Sequence, residues 1–146
     1  MHLTSPHLTS RRERTEFNDD ISRWDTSNVV SFYGTFYCAT SFNADLSRWD
    51  VGKARDIRHI FQNARAFSGD LSRWDVSSVE YATGAFDSAT SFNCDLARWD
   101  VSNVYSMVSM FAGATSFNQR LGGAWGPTST ADKTNMFING CPGSIA

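Results

Sequence analysis

Arginine and aspartate recur two residues apart, as Arg23-Trp24-Asp25, Arg48-Trp49-Asp50, Arg73-Trp74-Asp75 and Arg98-Trp99-Asp100. In an extended segment, residues two apart project to the same side. Arg and Asp would then share one outward face, with the tryptophan turned inward. A planar guanidinium matches a carboxylate through two parallel hydrogen bonds. The two rows can therefore neutralise each other by diagonal pairing, which predicts a structural lattice. Alternatively they form a flat, regularly charged face for a repetitive partner. Arg23, Asp25, Arg48, Asp50, Arg73, Asp75, Arg98 and Asp100 are the first candidate partner-binding residues. A second candidate is the basic cluster of Lys53, Arg55, Arg58 and His59, with Arg65 nearby and Asp56 opposing it. Such a cluster suits an acidic partner or is simply a solvated face.

Catalytic chemistry finds little footing. His59 is the sole histidine beyond His2 and His7, so no histidine cluster for a metal or a triad is available. There is no G-x-G-x-x-G after a strand, no P-loop, no H-E-x-x-H and no G-x-S-x-G. The pairs Asn18/Asp20, Asn43/Asp45 and Asn93/Asp95 carry calcium-type oxygens, but Arg120 stands at the Asp position of the last copy. Turn capping by side-chain bonds to nearby backbone is their expected role. Cys38, Cys94 and Cys141 are odd in number and include no C-x-x-C pair, which predicts small buried thiols rather than disulfides or a metal site. No enzyme activity, cofactor or metal is expected.

The residues that must position these groups form a repeat, the feature to settle before any other. Trp24, Trp49, Trp74 and Trp99 are spaced by 25 residues, and Trp125 follows after 26. The segment I-S-R-W-D-T-S-N-V at Ile21–Val29 returns at Leu46, Leu71 and Leu96, and in worn form at Leu121. Five units result: 17–41, 42–66, 67–91, 92–116 and 117–141. Phe17, Phe42, Phe67, Phe92 and Phe117 form one column, and Phe36, Phe61, Phe86, Phe111 and Phe137 another. These account for ten of the eleven phenylalanines.

Within a unit, Trp49 and Val51 alternate as in a short strand. Ala54, Ile57, Phe61 and Ala64 then follow the spacing of one helix face. The expected architecture is an α/β repeat solenoid of five coils, each a short parallel strand plus a short helix. Stacked neighbours would bury jointly what none can bury alone. Residues 1–16 read as a polar lead-in and 142–146 as a tail. Leu121–Ala146 is expected to form an irregular cap, with Pro127 blunting the edge.

L-x-x-W-x-V followed by V-x-x-M-x-x-M-F-x-x-A-x-x-F resembles the BspA-like branch of leucine-rich repeat surface proteins, including its Mycoplasma-type lipoprotein repeat. The resemblance spans about Phe17–Phe137 and departs at Gly52-Lys53-Ala54. It implies a leucine-rich-repeat-like solenoid, an extracellular or cell-surface location, and adhesion or protein binding. No catalytic residue comes with it.

The whole chain has 146 residues and a formal net charge of −2, so no global field draws it to nucleic acid or an anionic membrane. No stretch reaches the ~20 apolar residues of a membrane span, and residues 1–16 lack the apolar run of a secretory signal. The expected function is a non-enzymatic protein-interaction or structural module, alone or within a larger assembly. The alternative is a segment of a cell-surface adhesin or lipoprotein that binds host or extracellular ligands. A glycan partner stays open, without a motif to support it.

Overall fold

The computed structural model describes residues 11–126 and 129–146, with side chains from residue 14 onward. The lead-in before residue 11 and the edge-blunting role of Pro127 lie outside the described residues. Regular elements are few: α1 (Arg11–Glu16), β1 (Arg120–Leu121), a 3-10 turn over Gly123–Trp125, and β2 (Ser144–Ile145). Successive 25-residue stretches nevertheless lie on one another in parallel. Single-residue bridges run from Ser31 to Asp56, to Tyr81, to Ser106 and to Asp132.

This corrects the expected α/β repeat solenoid of leucine-rich-repeat type. Among the described residues no unit carries an α-helix. The one sheet pairs β1 with β2 at the C-terminal end.

The helix fails because of where the backbone N–H groups go. Those of Phe32, Gly34, Phe36 and Cys38 donate to the next unit, to the carbonyls of Asp56, Arg58, Ile60 and Gln62 at 2.8–2.9 Å. Those of Thr35, Tyr37 and Ala39 donate three residues back, to Phe32, Gly34 and Phe36 at 3.0–3.1 Å. An α-helix would send every one of them four residues back. The chain instead runs as overlapping tight turns. Gly34 and Cys38, third residues of two of these turns, both have φ of 60°. The same two places hold His59 and Asn63, Gly84 and Ser88, Ser109 and Gly113, then Asn135 and Asn139, with φ between 55° and 68°. Positive φ at the third position marks a type II turn. A left-handed residue at every fourth position cannot sit in a right-handed helix.

The strand fails for a related reason. Trp49 N–H donates to the Leu46 carbonyl at 3.0 Å and Ala54 N–H to the Val51 carbonyl at 2.9 Å, so Leu46–Ala54 is two turns joined by a short link. Side chains make the connection between units here. The indole N–H groups of Trp49, Trp74, Trp99 and Trp125 donate to the carbonyls of Ile21, Leu46, Leu71 and Leu96 at 2.9–3.1 Å. Each such bond contributes about 1 kcal/mol net.

Aromatic columns fill the space that the turns enclose. The rings from Phe17 through Phe117 stack at 5.7–5.9 Å. Those from Phe36 through Phe137 stack at 5.3–5.7 Å. The two columns touch each other where one unit passes into the next, as Phe61 does Phe67 at 4.0 Å and Phe86 does Phe92 at 4.1 Å. Full burial of each ring contributes about 1.5–3 kcal/mol.

The ends differ. Trp24 is 36% exposed, whereas Trp125 is fully buried. The tail folds over the fifth unit, where Gly143 comes so close to Phe117 that a Cβ would lie 2.7 Å from the ring. Ser144 N–H and Ala146 N–H then reach the carbonyls of Gln119 and Leu121.

Candidate functional site

Both rows of the Arg-x-Asp pairs are exposed, Arg23, Arg48, Arg73 and Arg98 as well as Asp25, Asp50, Asp75 and Asp100. They do not pair with each other: among the described residues no ion pair joins the two rows. Each aspartate closes a turn instead. Asp25 accepts Ser27 N–H at 3.1 Å and Ser27 Oγ–H at 2.6 Å, and Asp75 does the same with Ser77. Asp50 and Asp100 accept the N–H groups of Gly52 and Ser102 at 3.0 Å. The Ser27 and Ser77 hydroxyl bonds, then the backbone bonds, hold the Asp25 and Asp75 carboxyls below the usual carboxylate range. The arginines lie instead beside an earlier aspartate row: the pKa values of Asp20, Asp45 and Asp70 are lowered first by hydrogen bonds from Ser22, Ser47 and Ser72, and more weakly by the charges of Arg23, Arg48 and Arg73.

The aspartates of the Asn-x-Asp pairs do cap turns: Asp20, Asp45 and Asp95 accept the N–H groups of Ser22, Ser47 and Ala97. The asparagines act across units. Asn18, Asn43 and Asn93 accept the N–H groups of Asn43, Ser68 and Asn118 at 2.8–2.9 Å. The row is interrupted where Ser68-Gly69 replaces Asn and its neighbour. There a polar groove of about 650 Å³ opens between Arg73 and Arg98. Burial is the first cause that pushes the Cys94 and Cys141 thiols up, away from the thiolate a nucleophile needs. Among the described residues no group of His, Cys, Asp or Glu could hold a metal ion.

The basic cluster is largely answered from within. Arg55 pairs with Glu80. Arg58 meets Asp56 through Nε at 3.0 Å and Nη2 at 2.7 Å, and this bond leads the rise in its pKa. Lys53 Nζ–H donates to Asn28 at 2.8 Å. His59 occupies one of the left-handed turn positions, its ring edge-on to Tyr33 at 5.7 Å.

What surrounds Arg58 was not singled out by sequence reasoning. Its guanidinium carbon lies 5.2 Å from the centre of the Tyr33 ring and 5.3 Å from that of Tyr81. Tyr81 in turn lies 6.1 Å from Tyr105. Tyr33 and Tyr37 flank a groove of about 390 Å³ next to His59. The face thus runs Tyr37, Tyr33, Arg58, Tyr81, Tyr105 across four units. Its tyrosines are 39%, 47%, 40% and 63% exposed for Tyr37, Tyr33, Tyr81 and Tyr105. These are all four tyrosines of the chain. The signal was present in the sequence: each lies in the variable half of its unit, off the apolar columns.

Stacked 25-residue units, held by turn hydrogen bonds and aromatic columns, define a repeat protein whose outward positions are free to vary. The chain belongs to the family described as Mycoplasma protein of unknown function, DUF285, whose sequence model matches residues 11–95 and 52–141. The match agrees with the Mycoplasma-type side of the resemblance; leucine-rich-repeat features are absent from the described fold. No curated protein and no solved structure matches the chain. No helix among the described residues is long and apolar enough to cross a membrane.

Proposed function

We propose that the chain is a non-enzymatic interaction module that docks a protein through the tyrosine and arginine face. The observation that carries this is the exposure of four tyrosines in one continuous path around Arg58. Tyrosine and arginine are enriched among the residues that carry binding energy at protein interfaces, and tyrosine offers large contact area with little flexibility to lose. The rest of the surface supports the choice. The aspartate and asparagine rows are occupied with turns and unit-to-unit bonds, so their recurrence has a structural cause. The tyrosines recur in no column, so stacking does not require them. Resemblance to surface-protein repeats extends the proposal to a partner outside the cell.

The test is site-specific crosslinking in an extract of the source cells. A photoreactive residue at Tyr81 should capture a partner in fixed stoichiometry, and one at Ser47 should not. Tyr81→Ala with Tyr105→Ala should abolish a pull-down by the otherwise unmodified protein while leaving its unfolding midpoint unchanged. Equal capture from both positions, or an undiminished pull-down, would sink the assignment.

A further inference from the structure

We infer that the groove flanked by Tyr33 and Tyr37 is an oxyanion subsite, which receives the carboxylate of an acidic side chain on the protein docked at the tyrosine face. This rests on the reading above and names the partner's chemistry. The groove, about 390 Å³ in volume, is lined by Arg14, Tyr33, Gly34, Tyr37, His59 and Gln62. That lining offers a guanidinium, two phenols, an imidazole and an amide, and no carboxylate. Asp87, whose charge reaches Tyr37, is already occupied. It accepts Gln62 Nε2–H at 2.9 Å and Ser88 Oγ–H at 2.8 Å.

One further observation points to a ligand. Arg14 Nε is buried with no hydrogen-bond partner. Arg55 and Arg58 each have a carboxylate within the protein, but among the described residues Arg14 has none. Arg14 is half-buried, with Nε the atom shut off from water, and an oxyanion would answer that N–H with a charge-assisted bond. His59 Nδ1 is buried as well. It sits against Gly84, where a Cβ would come within 2.7 Å of it. With Nδ1 shut off, Nε2 is the nitrogen left to meet a ligand. Tyr37 holds its proton, its pKa raised first by its hydrogen bond with Cys38. Arg14 and His59 line one groove, and that groove adjoins the face proposed for docking.

The test needs no partner. The whole protein is titrated with acetate, and separately with inorganic phosphate, at constant ionic strength. Arg14 Nε–H and the His59 ring are followed by NMR. Saturable shifts at both sites are expected, with affinity for acetate weakened about tenfold in Arg14→Gln, the loss of one charge-assisted pair. Arg14→Lys keeps the charge but not the fork, and should fall between the two. Where Arg14→Gln loosens α1, the Lys variant decides: weaker saturable binding supports the subsite, and unchanged binding overturns it. Absence of saturation in the native protein, or phosphate binding without acetate binding, also overturns it. Tyr81→Ala with Tyr105→Ala should bind acetate as the native protein does. A failed pull-down beside intact acetate binding would therefore count against the docking face and not against the subsite.

Discussion

Ser109→Gly and Ser109→Ala, compared in one background, separate a turn from a helix by the sign of a single difference. Ser109 is the third residue of the turn closed by Met110 N–H on the Met107 carbonyl at 3.1 Å, with φ of 55°. Its own N–H donates to Thr134 in the next unit at 2.9 Å. Both variants keep that bond, and no side-chain hydrogen bond of Ser109 is lost. What changes is the cost of a Cβ in the left-handed region, about 1–2 kcal/mol. Against it stands the larger unfolded-state freedom of glycine, about 0.5–1 kcal/mol. The glycine variant should therefore be more stable than the alanine variant by about 1 kcal/mol. In a helix the order reverses, with glycine about 1 kcal/mol worse than alanine. Urea unfolding followed by circular dichroism resolves a difference of that size. An alanine variant more stable than the glycine variant would refute the turn reasoning.

Other perturbations test the core and the caps. Trp74→Phe removes the indole bond to the Leu46 carbonyl, which keeps the Trp49 N–H, and should cost about 0.5–1.5 kcal/mol in urea unfolding. Trp24→Phe, at a half-open end where no indole bond is made among the described residues, should cost much less. Phe86 is fully buried and stacked on Phe61, Phe92 and Phe111. Phe86→Ala should cost about 3–5 kcal/mol, and Phe137→Ala, with one stacked neighbour, clearly less; equal losses would contradict a stack that weakens toward its end. Asp25 and Asp75 have folded pKa values below their unfolded ones, through the Ser27 and Ser77 bonds. Their stabilisation is complete above the unfolded value of about 4 and is lost as pH falls through the folded value. The urea midpoint should thus hold down to about pH 4 and then fall. Asp75→Asn, which keeps an oxygen acceptor and cannot titrate, should flatten that fall, and an unaltered pH profile would argue against the turn bond.

Part of the site was legible and part was not. The outward position of Arg48 and Asp50 could be read from their alternation with Trp49 and Val51, and both are exposed. Their pairing could not, because Asp50 has a nearer donor in the amide of Gly52 two residues on, and a local amide competes well with a mobile guanidinium. The basic cluster looked unopposed because Glu80, the partner of Arg55, lies 25 residues away and reaches it only when the units stack. Arg14 and His59 were likewise unremarkable until a groove brought them together.

By itself the sequence determined which side chains face each other. A strict 25-residue spacing brings each phenylalanine to the same place in its unit, and bulky apolar rings have nowhere to go but inward. It did not determine the backbone between them. Ala54, Ile57, Phe61 and Ala64 have the spacing of a helix face, yet consecutive four-residue turns bury them equally well. What separates the two is the destination of alternate N–H groups, such as those of Phe61 and Asn63, which reach Ala85 and Asp87 in the neighbouring unit. Hydropathy records which side of a residue is dry. It does not record whose carbonyl its amide will find, and only the stacked neighbour supplies that carbonyl.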